Sequence, residues 1–358
     1  MPKVSPKHVQ VAAAVRRMIR ERGLKAGDGL PTEMELAAEF ACSRGTVRQA
    51  LETLAQEGLV RRKQGAGAFV ARRERGGRAA LIGLILPNIL NAEVIRLAQL
   101  FTIKSSEQGY RIVLCVTDEQ PAVEREFVRE ALRMKVSGVI KFPTVPETPG
   151  FEEEIRGQLR SHHTPCVVVN DFWTDCRRDH LVAFDEEAGV ELAVDKIVAA
   201  GHQRIGWVDG SDGPRRRAEA CLRQALERKG LRLREEDMLL TPPYRTPPVE
   251  QLFAEGRQGP TALLTPYDGL AVRLIEALGR AGLRVPQDVS VVNLNGQPLY
   301  ATPGLELTTA VPPNEEIAAK ALEILWDEKS GEAVRRYLFR PGFCEGRTLA
   351  APRGRGKA

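Results

Sequence analysis

No apolar run in this chain approaches the length needed to cross a bilayer, although 43% of its 358 residues are hydrophobic. Histidine is scarce, and the six cysteines (Cys42, Cys115, Cys166, Cys176, Cys221 and Cys344) are scattered singly without a C-x-x-C pair. That spacing argues against a zinc site and against a disulfide framework. Cys115 and Cys166 sit in apolar runs, as small buried residues do in a reducing cytoplasm. Residues 1–10 are polar and basic with no apolar core behind them, so no secretory signal and no membrane partner are expected, and the expected location is cytoplasmic. There is no Gly-x-Ser-x-Gly, no Walker loop and no metal-ligand spacing. Neither a catalytic set nor a cofactor is therefore expected.

Residues 31–70 carry the strongest positive signal. Thr32 and Glu35 have the S/T-x-x-E spacing of a capping box, which satisfies orphan amides at a helix start and predicts a helix over 33–40. Its apolar residues Leu36, Ala37 and Phe40 share one face. Ser43 is placed to cap a second helix after a turn of only a few residues. There Val47, Ala50, Leu51 and Leu54 form the stripe to be buried, leaving Arg44, Thr46, Arg48 and Gln49 toward the opposite, N-terminal face. That is the end a recognition helix inserts into the major groove. After Gly58, a suitable helix C-cap, short strands at 59–63 and 68–71 are joined by Gln64-Gly65-Ala66-Gly67, whose glycines permit φ > 0. Arg61, Arg62 and Lys63 on this hairpin could lie along phosphates. Surface arginines on an amphipathic helix are ordinarily just solvated; the order of the pieces is what points to DNA.

With a preceding helix over 9–22 and the link Leu24-Lys25-Ala26-Gly27-Asp28-Gly29-Leu30-Pro31, the stretch resembles the GntR family of bacterial regulators across nearly all of residues 8–71. The resemblance implies that Arg44, Thr46 and Arg48 meet bases or phosphates, that Thr32, Ser43, Gln49, Arg62 and Lys63 belong to the same interface, and that Gly65 to Gly67 form a wing tip near the minor groove. Two positions depart from the family pattern. Met34 stands where many members carry an arginine, and Cys42 replaces a valine before Ser43.

Charge is distributed to match. Residues 1–78 hold 16 Lys and Arg against 8 Asp and Glu, whereas the remaining 280 hold 36 against 39. The positive field thus belongs to the N-terminal segment, which is expected to bind phosphate backbones with strong salt dependence.

Charge and paired glycine interrupt the hydrophobic pattern just before residue 80, which suggests a winged helix-turn-helix domain over 1–73, a linker over 74–79, a second domain over 80–348 and a basic tail over 349–358. Beyond the linker, strand-like runs alternate with helix-length segments. Strands are expected at 81–86, 111–116, 138–142, 166–169, 204–208, 262–264 and 289–292, and helices at 92–108, 122–134, 151–161, 189–200, 215–229, 269–281 and 314–328. Such βα alternation argues for parallel sheets covered by helices, in two doubly wound lobes. The cleft beyond the strand C-termini is the default ligand site.

Several blocks go further: Ile82-Gly83-Leu84-Ile85-Leu86-Pro87-Asn88, Glu107-Gln108-Gly109-Tyr110, Asp185-Glu186-Glu187-Ala188-Gly189, Gly201-His202-Gln203-Arg204-Ile205-Gly206, residues 282–292 (GLRVPQDVSVV) and Leu307-Thr308-Thr309. In this order they resemble the effector domain of the LacI/GalR repressors, a relative of periplasmic sugar-binding proteins, across about 80–347. A GntR-type reader joined to this sensor is similar to the arabinose-repressor-like subgroup. The fold so implied is α/β, an N-terminal winged helix-turn-helix followed by a two-lobed, periplasmic-binding-protein-like sensor. The implied function is a dimeric regulator, with repression the expected sign, reading a palindromic double-stranded DNA operator under control of a small effector.

The cleft positions depart from the family. In Pro87-Asn88-Ile89-Leu90-Asn91-Ala92-Glu93 the usual aromatic is replaced by Glu93. Asn170 and Asn295 stand where aspartates are common, which keeps hydrogen bonding but removes negative charge. The family's usual R-x-x-G-[YF]-R appears as Ala218-Glu219-Ala220-Cys221-Leu222-Arg223, so its first arginine is missing at Ala218, leaving Arg216 or Arg217 to substitute, and Tyr267 precedes a retained Asp268. Asn88, Glu93, Asn170, Asp171, Arg216, Arg217, Tyr267, Asp268 and Asn295 are the candidate effector residues. A sugar or polyol is the first reading, another small polar metabolite the second, and a sensor without ligand the third. Asparagines also end strands and cap helices, so any one of them alone decides little. Trp173 or Trp207 could supply a ring, although Trp207 lies in an apolar strand and reads as core. A transport binding protein would share the lobes but would need export and no DNA module. His202 reads as a turn residue rather than a base.

Overall fold

The computed structural model describes residues 7–24, 27–56, 59–63, 67–70, 80–89, 91–144, 150–170, 179–210, 216–242, 245–253, 259–297, 304–327 and 334–352. The chain divides into two compact units, residues 1–80 together with 105–111, and residues 81–104 together with 112–358.

The N-terminal unit comprises α1 (Lys7–Glu21), α2 (Glu33–Glu39), α3 (Arg44–Gln56), β1 (Val60–Lys63) and β2 (Gly67–Val70). Thr32 and Glu35 form the expected reciprocal box, with the Thr32 amide donating to Glu35 Oε2 at 2.7 Å and the Glu35 amide to Thr32 Oγ1 at 3.3 Å. These bonds hold the Glu35 carboxyl below its ordinary pKa. Ser43 Oγ accepts from the Thr46 amide at 3.1 Å, satisfying an orphan donor at the start of α3. The predicted stripe Val47, Ala50, Leu51 and Leu54 is buried against Val11, Val15, Met18 and Leu36. β1 and β2 pair antiparallel, from Val60 opposite Val70 to Lys63 opposite Gly67, where φ is +98°. The segment before α2, read from sequence as a link, also pairs with β2: the Leu30 amide donates to Ala68 O and the Val70 amide to Asp28 O, each at 2.8 Å.

The C-terminal unit contains two lobes. The first is built from β3 (Ala80–Leu86), α4 (Ala92–Glu107), β4 (Tyr110–Val116), α5 (Pro121–Arg133), β5 (Val139–Lys141), α6 (Phe151–Ser161), β6 (Cys166–Val169) and β7 (His180–Phe184). The chain then enters the second lobe through α7 (Glu186–Ala199), β8 (Ile205–Asp209), α8 (Arg216–Arg228), β9 (Met238–Leu240), β10 (Ala262–Thr265), α9 (Asp268–Arg280), β11 (Ser290–Asn293) and β12 (Thr308–Val311). Finally α10 (Asn314–Trp326) and β13 (Arg336–Phe339) return to the first lobe, and β14 (Gly342–Cys344) to the second. The sheet orders are β4-β3-β5-β6-β7-β13 and β9-β8-β10-β11-β12-β14. Every described pairing is parallel except β12 with β14.

Three short connections cross between the lobes: at Asp185, at Pro312-Pro313 and at Arg340-Pro341. Two of them touch, since the Asp185 amide donates to Phe339 O at 2.7 Å while the Asp185 carboxylate caps α7. Alternate residues of the central strands feed opposite faces, which is why these strands read as continuous apolar runs. In the second lobe Trp207 and Leu264 pack under α7 and α8, whereas Val208 and Leu263 pack under α9. Trp207 is fully buried, as its sequence context indicated.

Candidate nucleic-acid interface and effector cleft

Ser43, Arg44, Gly45, Arg48 and Gln49 are exposed around the first turns of α3, opposite the buried stripe. Arg61 and Arg62 are exposed on β1. Thr46 is half-buried, and its hydroxyl shares a 2.8 Å hydrogen bond with Ser43 Oγ; Thr32 is exposed but engaged in its capping box. Both threonines therefore act first as helix-start residues. Two of the arginines are held by one carboxylate, with Arg48 Nη2 at 3.3 Å from Glu33 Oε2 and Arg62 Nη2 at 2.7 Å from Glu33 Oε1. Arg62 also reaches Glu52 at 3.2 Å. Gly65 and the side chain of Lys63 lie outside the described residues; Gly67 lies at the start of β2. Met34 is 63% exposed at the start of α2.

In the C-terminal unit, the structure brings three of the expected effector residues into direct contact. Asn91 Oδ1 accepts from the amides of Glu93 at 2.8 Å and Val94 at 3.4 Å, capping α4 and placing Glu93 in its first turn. There a carboxylate is favoured by the helix dipole. Glu93 is only 1% exposed; Asn170 Nδ2 donates to its Oε1 at 2.8 Å, and Asn295 Nδ2 donates to its Oε2. Asn170 follows β6 in the first lobe with φ +53°, a left-handed conformation that asparagine tolerates. Its Oδ1 accepts from the Phe184 amide at 3.2 Å, so the amide orientation is set. Asn295 follows β11 in the second lobe. One carboxylate thus joins residues at the strand C-termini of both lobes.

Around this trio, Asn88 is half-buried and its Nδ2 meets Glu119 at 3.4 Å. Asp268 opens α9, and its Oδ1 accepts from the Gly269 amide at 2.9 Å. Burial pushes its carboxyl above the ordinary value, against hydrogen bonds from the Gly269 and Gln297 backbones that lower it. The Gln297 bond ties Asp268 to the loop that carries Asn295. Tyr267 is half-buried, its hydroxyl 3.4 Å from Arg273 Nη2. Arg217 is exposed in the first turn of α8, whereas Asp171 and the side chain of Arg216 lie outside the described residues, as do Trp173 and Cys176. Sequence alone does not single out Glu119, Gln297, Arg273 or the buried Asp209, although three of these follow or end parallel strands, where ligands of such folds gather.

His202 is buried, with Nδ1 at 2.9 Å from Thr261 Oγ1 and Nε2 at 2.8 Å from Ala350 O. Burial lowers its pKa, opposed by the Ala350 carbonyl, so the neutral ring bridges two backbone segments as the turn reading expects. The five described cysteines are free thiols, and burial raises both Cys115 and Cys221 to about 11.

Residues 7–70 match the family described as bacterial regulatory proteins, gntR family, and residues 194–348 match the periplasmic binding protein-like domain. The arabinose metabolism transcriptional repressor of Geobacillus stearothermophilus is 28% identical over 355 residues, covering 95% of this chain and 96% of its own. The HTH-type transcriptional regulator MalR of Streptomyces coelicolor is 29% identical over 326 residues, covering 88% and 91%. Among solved structures, a LacI family transcriptional regulator from Enterococcus faecium with bound ribose superposes with a TM-score of 0.62 at 22% identity, covering 76% of this chain and 99% of its own. Transcription regulator CcpA of Lactococcus lactis gives 0.61 at 20%, covering 76% and 100%. The chain accordingly joins a GntR-type helix-turn-helix to a periplasmic-binding-protein-like domain, and the relatives it is similar to are DNA-binding transcriptional regulators, not enzymes.

Proposed function

We propose that this protein is a cytoplasmic transcriptional repressor that binds a palindromic operator as a homodimer and is released or retained according to a sugar or polyol seated between its lobes. In this reading residues 1–73 read DNA, 74–79 link, 80–348 sense, and 349–358 form a basic tail. Arg44, Arg48 and Gln49 meet base edges, Arg61, Arg62 and Lys63 meet phosphates, and Gly65 and Gly67 shape the wing. The observation that carries the reading is the pairing, in one chain, of an exposed basic helix start with the buried Glu93, Asn170 and Asn295 cluster at the strand C-termini of two lobes. The arabinose repressor of G. stearothermophilus and the ribose-bound regulator of E. faecium support a carbohydrate as the effector class.

Support for the dimer comes from the first lobe. Leu114 and Val116 on edge strand β4 are 51% and 38% exposed, and Ile103 on α4 is 53% exposed. An open sheet edge bearing apolar side chains invites pairing. Coupling follows from linkage: an effector that prefers one lobe arrangement shifts operator affinity by the factor with which operator shifts effector affinity.

A thermal-shift screen of sugars and polyols, followed by operator titration with each stabilising compound, tests the reading. The expected result is one compound that stabilises the protein and changes operator affinity. A monomer in sedimentation at micromolar concentration, or a stabilising sugar without effect on operator binding, would count against it.

A further inference from the structure

We propose that Glu93 is an interlobe clasp that sets the chemical class of the effector, selecting a ligand that donates hydrogen bonds at this point and discriminating against one that presents an anion. The inference rests on the effector reading above and deepens it.

The clasp is built from both sides. Asn91 caps α4 and places Glu93, whose backbone and side chain are thereby presented from the first lobe. Both carboxyl oxygens accept, Oε1 from Asn170 and Oε2 from Asn295. Asn170 cannot reverse its amide without losing the Phe184 bond. On the far side, Asn295 is 5% exposed and follows a strand fixed through Asn293, which hydrogen-bonds Thr309 Oγ1 at 3.2 Å. Gly296 approaches the same Thr309 so closely that an added Cβ would fall 2.3 Å from its Oγ1. Asn295 therefore has little freedom to move away.

One atom is left over. Asn295 Oδ1 is buried and has no hydrogen-bond partner among the described residues, although its own Nδ2 is engaged with Glu93. A buried acceptor without a donor is costly, and it stands within the span of one amide group from a carboxylate. A hydroxyl or an ammonium group satisfies such a place. A carboxylate or phosphate would add lone pairs and negative charge to a spot already made of acceptors. Because the clasp spans the lobes, a ligand that engages it also acts on their closure.

Two measurements on the full chain decide the proposal. The first is calorimetric titration of wild type and Glu93→Gln with matched compounds: glucose, glucuronate and glucosamine, and ribose against ribose 5-phosphate. Wild type should prefer the neutral or amino member of a series over its acid at least tenfold, and Glu93→Gln should shrink that preference. An acid bound as tightly as its neutral counterpart, or a preference that the variant leaves unchanged, overturns the selection. The second is the interlobe distance, read by electron resonance between spin labels attached to encoded ketone residues at Glu130 on α5 and Glu227 on α8, both exposed. Glu93→Ala should lengthen and broaden that distance, with Glu93→Gln intermediate; circular dichroism confirms that each is folded. Unchanged distances in both overturn the clasp. If none of these sugars binds yet the distance lengthens, the carbohydrate reading is what fails, and the clasp stands.

Discussion

Glu33 and Arg62 meet at 2.7 Å, and the second oxygen of the same carboxylate holds Arg48 at 3.3 Å. A single acid at the start of α2 thus ties an arginine of α3 to an arginine of β1. Both guanidinium groups remain substantially exposed, with side chains 61% exposed for Arg48 and 36% for Arg62, so the pairs contribute little to stability and their effect falls on DNA. Glu33→Gln adds one net positive charge and releases Arg48 from its ion pair, while Arg62 keeps its pair with Glu52. Affinity for random duplex at low salt should rise by roughly three- to tenfold, and the ratio of operator to random binding should fall. Fluorescence anisotropy on both duplexes across a salt series reads both quantities; if neither changes, Glu33 does not govern these arginines.

The base-reading assignment has its own test. Arg44 and Arg48 project from the exposed side of α3, so replacing either by alanine should weaken operator binding by about 1–3 kcal/mol if it reads a base. Replacing Arg61 by alanine should instead weaken operator and random duplex about equally and lower the salt slope. Unchanged operator affinity in both the Arg44 and Arg48 variants would move recognition elsewhere.

Local chemistry made much of this legible. Thr32 with Glu35, and Ser43 before Arg44, announce their helices because a cap is an interaction among near neighbours. The helix Phe151–Ser161 and strand Cys166–Val169 fall at the residues expected from periodicity. Five strands escaped notice, namely β7, β9, β12, β13 and β14. β9 and β14 have three residues each and lie at sheet edges, as does β13, which alternates exposed with partly buried residues because an edge position relieves it of the apolar composition of a central strand. The site shows the same division. Glu93, Asn170 and Asn295 stand out in sequence as departures from a family pattern, but Glu93 and Asn295 lie 202 residues apart, and only the fold shows that they share a hydrogen bond. The grip of Glu33 on Arg62, across 29 residues, was equally invisible to helical spacing.

His202 predicts a pH dependence. Burial lowers its pKa below the ordinary 6.5, so its contribution to stability is fully present above that value and is lost as pH falls through the depressed one. Asp268 and Glu152 act in the opposite sense: with pKa values raised chiefly by burial, each contributes most below its ordinary value and loses that contribution as pH rises through the raised one. The informative quantity is therefore the difference between wild type and His202→Gln. Thermal midpoints measured from pH 7.5 down to pH 5 should fall by a few degrees more in wild type than in the variant. Parallel curves would mean that the ring accepts a proton at no cost.

The last prediction concerns a charged group inside the first lobe. Lys141 ends β5 with its side chain 2% exposed, hydrogen-bonded to the fully buried Glu124 and, at 2.8 Å, to Glu152. Burial opposes its charge, yet these two carboxylates together hold its pKa above the ordinary lysine value. A buried pair of this kind is weak evidence of net stabilisation, because desolvating both charges offsets their attraction; removing one partner is another matter. Lys141→Met leaves Glu124 buried without its cation and should destabilise the protein by about 3–5 kcal/mol in urea unfolding. Adding Glu124→Gln and Glu152→Gln removes the stranded charges and should recover most of that loss, with operator binding intact. If the triple variant were no more stable than Lys141→Met alone, the cost would lie in packing around Phe151, whose ring centroid is 5.8 Å from the Lys141 ammonium, and not in the uncompensated carboxylates.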